Sequence, residues 1–338
     1  MCNPPEPEII GTDTNVKNSY LDEIIKNTEF ELFSGPVKGT TEVRLDGPID
    51  PYIGATIRAI GDRINYALIA QTVRYIDLDL GRQTGGILIF LPGTMEIRRC
   101  LEAIARLPNS QGKYHALPLH ASLTPAQQQL VFFPPPPGKR KIIAATNVAE
   151  TSITIADIVA VIDTGRVKET SYAPESDMVR LLETWASQAA CKQRKGRAGR
   201  VRSGDCYKLY TRSIEQQKMP ERPEPEILRV PLQQTCLGVK AMGVKDVRSF
   251  LASAVTPPET SAVEGAMSVL ERIGVLREEE LTPLGRHMAT IPADLKCSKL
   301  LVYGVIFGCL DMALNIAGIL STRSPFVSPL EKREEAKA

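Results

Sequence analysis

Gln193-Arg194-Lys195-Gly196-Arg197-Ala198-Gly199-Arg200 is the stretch on which the reading of the fold turns. It puts three arginines and a lysine into seven positions, separated by small residues, just after an apolar run from Trp185 to Cys191. Arginines three apart are neighbours on a helix, so Arg197 and Arg200 are expected to turn two permanently charged, planar forks toward one anion. Gly196 and Gly199 leave room beside those forks for a ligand or a facing domain to approach the backbone. With the Gln193 amide alongside and no acid nearby in the chain, the octet reads as a phosphate-facing surface. A basic helix solvated on one face accounts for most charge runs, but it does not require this alternation of glycine and arginine.

Working outward, the 338 residues predict two or three domains. A hydrophobic content of 43% can fill real cores, and the net charge of +2 leaves any affinity for nucleic acid to local patches. Seven cysteines show no C-x-x-C pair and no ligand-like spacing with the three histidines. They read as buried thiols rather than disulfides or metal ligands. No apolar run approaches membrane-spanning length, and Met1-Cys2-Asn3-Pro4-Pro5 lacks a signal-peptide pattern. The expectation is a protein of the cytoplasm, with the nucleus possible and no membrane partner.

Residues 1–56 are rich in proline, aspartate and threonine and read as a linker or remnant. From Ile57 onward, apolar runs and helices alternate, the sign of a parallel α/β sheet. Ile87–Leu91 is a buried strand ending at Pro92-Gly93, after which Thr94 can cap a helix with Ile97, Leu101 and Ile104 on one face. A strand from Ala116 to Leu119 leads to Ser122, and Thr124-Pro125-Ala126-Gln127 forms a capping box. Lys141–Ala145 and Val159–Asp163 are further strands, residues 166–182 form an exposed hairpin, and Cys206–Tyr210 closes the sheet. Such sheets bind ligands at the carboxyl ends of their strands. A smaller helical unit follows, with core spacing at Leu232, Cys236 and Val239. Residues 297–320 then read as two apolar helices split at Asp311, an expected N-cap.

Three ordered segments carry a family resemblance. The octet is similar to the arginine-finger motif of superfamily 2 helicases. Thr146–Ile155 (T-N-V-A-E-T-S-I-T-I) resembles motif V of the DEAH-box RNA helicases, the RNA helicase A type included, and Leu88–Glu96 resembles their motif IV. The resemblance implies a second RecA-like domain over 57–217, of the P-loop NTPase type without the P-loop. A winged-helix domain over 218–290 and the start of a helical (ratchet) bundle over 291–338 would follow it.

By the same resemblance, Arg197 and Arg200 would neutralise charge developing on the γ-phosphate of ATP, and Gln193 would touch that phosphate or orient the attacking water. Phe132 would stack on adenine, and Thr154 and the Ala156 position would contact the nucleotide. The family commonly carries an aspartate at the Ala156 position; here the acid is Asp157. Gly93, Ser122, Thr146 and Asn147 would touch the backbone of single-stranded RNA through hydroxyls and backbone N–H groups, which fixes register without reading sequence. The hairpin with Arg166, Lys168 and Arg180 would separate strands. No G-x-x-x-x-G-K-[ST] loop and no D-E-x-H motif occurs in the chain. ATP turnover and Mg2+ are therefore expected to require a first RecA-like domain, from the same gene or in trans. A non-catalytic RNA-binding or regulatory module, or a truncated gene product, are the alternative readings.

Overall fold

The computed structural model describes residues 16–32, 50–108, 110–151, 155–173, 178–199 and 203–322. The chain divides into two compact units, residues 1–169 with 181–223, and residues 170–180 with 224–338.

The first unit begins with β1 (Val16–Ser19), α1 (Leu21–Thr28), α2 (Pro51–Ile60) and α3 (Tyr66–Leu80). It continues with β2 (Gly86–Phe90), α4 (Thr94–Ala105), β3 (Tyr114–Leu119), α5 (Pro125–Gln129), β4 (Arg140–Ala145), α6 (Val148–Thr151) and β5 (Ile158–Asp163). β6 (Arg166–Ala173) and β7 (Met178–Trp185) form a separate two-stranded ribbon, of which residues 170–180 group with the second unit, and α7 (Gln188–Lys195), β8 (Gly204–Lys208) and α8 (Arg212–Gln217) complete the series. Six strands make one parallel sheet in the order β1-β8-β5-β2-β4-β3.

Residues of alternating parity on its strands face opposite sides, as the pleat demands. Ile87, Ile89, Ile142, Ala144, Ala160 and Ile162 pack with α1, α3 and α4 on one face. Leu88, Phe90, Ile143, Ala145 and Val161 join Val131, Ile155 and Ala198 on the other. Both faces are therefore covered, which is why these strands read as continuous apolar runs. Pro118 sits within β3, tolerated because β3 is an edge strand.

Three local expectations change in this unit. Residues 16–32 and 50–56 are not linker. β1 pairs parallel with β8, from Val16 with Gly204 to Ser19 with Tyr207, and Leu21, Ile24 and Ile25 of α1 are core. The strand after the octet therefore does not close the sheet; β1 lies outside it. Gly93, not Thr94, is the N-cap of α4. The capping box at Thr124 and Gln127 forms as expected.

In the second unit, α9 (Gln233–Ala241), α10 (Val247–Ala252), α11 (Thr260–Arg272) and α12 (Pro283–Thr290) enclose a core in which Leu232, Cys236 and Val239 are buried. Between α11 and α12, β9 (Leu276–Arg277) and β10 (Glu280–Leu281) form a short antiparallel wing. Its turn holds Glu278 and Glu279 at φ +48° and +63°, the pair of left-handed residues that a type I′ turn needs. The helices α13 (Leu295–Ile306) and α14 (Leu310–Ser321) follow, with Val305, Ile306, Phe307, Met312 and Leu320 more than half exposed. The N-cap of α14 is Cys309, not Asp311, which lies in its first turn; the chain reverses at Gly308, φ +69°.

Candidate functional site

The octet does not form one helix. α7 stops at Lys195 with Gly196 as its C-cap, so Arg197 follows in a turn; Arg200 lies outside the described residues. Ser187 caps the start of α7 by accepting from the Ala190 N–H. The turn is pressed onto the sheet at Ala198, fully buried against Cys206 and Ile158. Gly204 makes that contact possible, because a Cβ there would strike the carbonyls of Ala198 and Val159.

Nor is the octet free of acids. Glu150 of α6 and Asp163 at the end of β5 converge on Arg194, the arginine to which the sequence assigns no role. Arg194 donates from Nε to Glu150 at 2.7 Å, from Nη2 to Glu150 at 2.6 Å and from Nη1 to Asp163 at 2.8 Å. A fourth bond reaches the Arg166 carbonyl at 3.3 Å, and the guanidinium lies 5.2 Å from the Phe90 ring centroid. Arg194 is 2% exposed and Asp163 not at all. Burial alone would lower the guanidinium pKa, but Asp163 and Glu150 hold it above its ordinary value. Burial pushes the Glu150 carboxyl up, against the pull of Arg194 and, more weakly, Arg197. Asp163 also accepts from the Gly165 N–H at 2.8 Å. Asp163 had a sequence signal: a carboxylate ending an otherwise apolar buried strand requires a partner.

Around this hub, Gln193 is exposed and Arg197 is 8% exposed, with contacts of its own. Phe132 is 51% exposed and Phe133 60%, whereas the adjoining Val131 is fully buried, so neither ring is core. Ala156 is exposed in the turn before β5, and Thr154 lies outside the described residues. The neighbouring Asp157 is held by Lys141, whose ammonium sits 2.8 Å from its carboxylate and donates to the Val131 carbonyl at 2.9 Å. That lysine is 1% exposed, another partner the sequence does not reveal. Ala156 and Asp157 also line a cleft of about 1000 Å³ with Leu78, Pro134–Pro137 and Arg140.

β2, β3 and β4 are parallel neighbours, so the loops after them share one end of the sheet. There the structure gathers Gly93, Ser122, Thr146 and Asn147, with the Leu91 N–H bonded to the Ala145 carbonyl and the Thr146 N–H to that of Leu119. The Ser122 N–H is taken by His120 Nδ1 at 3.2 Å. The Ser122 and Thr146 N–H groups are thus both bonded within the protein. Gly93 lies beneath two flexible side-chain ends that a larger residue would displace. A Cβ would lie 2.6 Å from Glu96 Oε2 and 2.9 Å from Lys168 Nζ, which form an ion pair across it. In the ribbon, Lys168 is committed to Glu96. Arg166 is committed to the Asp62 carbonyl and to the Trp185 ring, 3.4 Å from its centroid; Arg180 is exposed.

A two-face parallel sheet with an arginine-bearing turn, followed by a winged helix and a helical segment, is the architecture of a carboxyl-terminal RecA-like region. Family models agree: the "Helicase conserved C-terminal domain" matches residues 68–202, and the winged-helix and ratchet-like "Helicase associated domain (HA2)" match 266–293 and 294–338. The chain is 41% identical over 364 residues to the putative DEAH-box ATP-dependent helicase UM11114 of Mycosarcoma maydis, covering 97% of this chain and 23% of that protein. It is 40% identical to the DExH-box ATP-dependent RNA helicase DExH1 of Arabidopsis thaliana (99% and 36%) and 42% identical to the human ATP-dependent RNA helicase DHX29 (81% and 20%). Among solved structures, the E. coli DExH-box NTPase HrpB superposes with a TM-score of 0.70 at 26% identity, covering 94% of this chain and 34% of that one. The chain belongs to the DEAH-box helicases of superfamily 2 and corresponds to their helicase C-terminal and HA2 region. It spans about a fifth to a third of the length of these curated relatives.

Proposed function

We propose that this chain supplies the arginine-bearing half of an ATP site and one wall of a channel for single-stranded RNA. The observation that carries the reading is one core cluster. Val131, Ile155 and Ala198 are buried together on one sheet face, and each fixes the residue after it or before it: Phe132, Ala156 and Arg197. Three segments far apart in sequence, each given a nucleotide role by the resemblance, are thus anchored to the same apolar layer. The arginines would meet the γ-phosphate as its bond breaks, a contribution of about 10³ to 10⁵ in rate for such groups. Phe132 offers a stacking face, and the hydroxyls of Ser122 and Thr146 with Asn147 offer contacts to an RNA backbone.

Among the described residues no group of three His, Cys, Asp or Glu side chains converges to hold a metal ion. By the family resemblance, and not from that absence, Mg2+ and the phosphate loop would come from a first RecA-like domain. The chain alone then hydrolyses no ATP. A first RecA-like domain from a close relative, fused or added in trans, restores RNA-stimulated hydrolysis, which Arg197→Ala or Arg200→Ala removes. Turnover by the chain alone that is insensitive to both substitutions would overturn the proposal. The burial of Arg197 favours a second reading, a non-catalytic RNA-binding module. In that case the fusion binds RNA but its hydrolysis ignores Arg197→Ala.

A further inference from the structure

We propose that the buried Arg194–Glu150 pair is the positioning contact through which RNA at the Thr146–Asn147 loop sets the geometry of the Arg197 turn. This inference rests on the reading of those two segments as RNA-facing and nucleotide-facing.

The connection between them is short and continuous. The Glu150 N–H donates to the Asn147 carbonyl at 2.9 Å, the Glu150 carboxylate accepts twice from Arg194, and the Arg197 N–H donates to the Arg194 carbonyl at 3.0 Å. α6 is a single turn that begins right after Asn147, so a pull on Asn147 moves Glu150 with little slack. Glu150 cannot move away from Arg194 cheaply, because that would leave a buried charge unpaired. Arg194 cannot pivot alone either. Its other edge is bonded to Asp163 and to the Arg166 carbonyl. A displacement at one loop is therefore passed to the base of the arginine turn and to Arg166 together. Only a guanidinium can serve three acceptors from two edges at once, which a lysine ammonium on a flexible stem does not reproduce.

The chain contains its own reporter. Trp185 is its one tryptophan, and the Arg166 guanidinium stacks on its ring. Oligouridine binding to the intact chain, followed by polarisation of a labelled RNA, is compared with Trp185 emission under unlabelled RNA. The parent should show an emission change that tracks binding. Glu150→Gln, close in shape but uncharged, should lose that change at RNA concentrations that saturate polarisation, and Arg194→Lys should diminish it. Asp77→Asn, which removes a buried carboxylate charge elsewhere in the unit, should keep it. RNA binding with no emission change in the parent, or a full change in Glu150→Gln, would sink this inference and leave the RNA reading standing. Absence of RNA binding in the parent would remove both.

Discussion

Lys141 shows what one buried cation decides at the residue scale. It holds Asp157 against the backbone beside Phe132, so that carboxylate is already spent, and Ala156 is the open position in the turn. In a two-domain form, Ala156→Asp should therefore tighten labelled ADP by roughly ten-fold, one charge-assisted hydrogen bond's worth. Asp157→Ala should act instead on stability, lowering the urea midpoint because Lys141 loses its counter-charge. If Asp157→Ala weakens ADP binding and Ala156→Asp does not tighten it, Asp157 rather than position 156 contacts the nucleotide. Asp77 gives a second test, of pH. It lies between Lys113 at 2.6 Å and Arg140 at 2.9 Å. Burial would raise its pKa, yet the bonds from Lys113 and Arg140 hold it below the usual carboxylate range. A carboxylate depressed on folding stabilises above its unfolded pKa and loses that contribution as pH falls through its folded value. The gap in urea midpoint between parent and Asp77→Asn should be full near neutrality and shrink below about pH 4; a gap that widens in acid would contradict the assignment.

Among the elements, α7 with its turn depends on a residue outside the octet. Gly204 at the start of β8 leaves no room for a side chain under Ala198. Gly204→Ala should cost about 1–3 kcal/mol by overpacking, read as a lower thermal midpoint, and should shift the Arg197 turn. A variant as stable as the parent would show that the turn is not pressed to the sheet. The central strands were legible because burial on both faces writes itself as unbroken apolar runs, as in Ile87–Leu91. The outermost strand was not. β1 is Val-Lys-Asn-Ser, three of its four residues polar, and becomes a strand because the open edge of β8 offers hydrogen bonds to it. The two-residue strands of the wing are likewise too short to leave a periodic signal.

At the scale of the whole molecule, no described helix is long and apolar enough to cross a membrane, and the net charge is only +2. Affinity for RNA should then come from a handful of phosphate contacts. A salt titration should give a log–log slope of about −0.7 for each phosphate contacted by a single strand. Binding that is insensitive to salt, or that strongly prefers one base sequence, would contradict a backbone-tracking wall.

The sequence by itself determined the alternating α/β order, the ends at which the loops gather and the family to which they belong. Each of those rests on local patterns: apolar periodicity, capping residues and glycine–arginine spacing. Only the tertiary structure decided which charges are committed. Arg194 meets Glu150 and Asp163 from 44 and 31 residues away, and Asp157, in a turn, meets Lys141 of β4. A buried ion must be paired wherever the fold brings its partner, and sequence distance carries no information about that meeting.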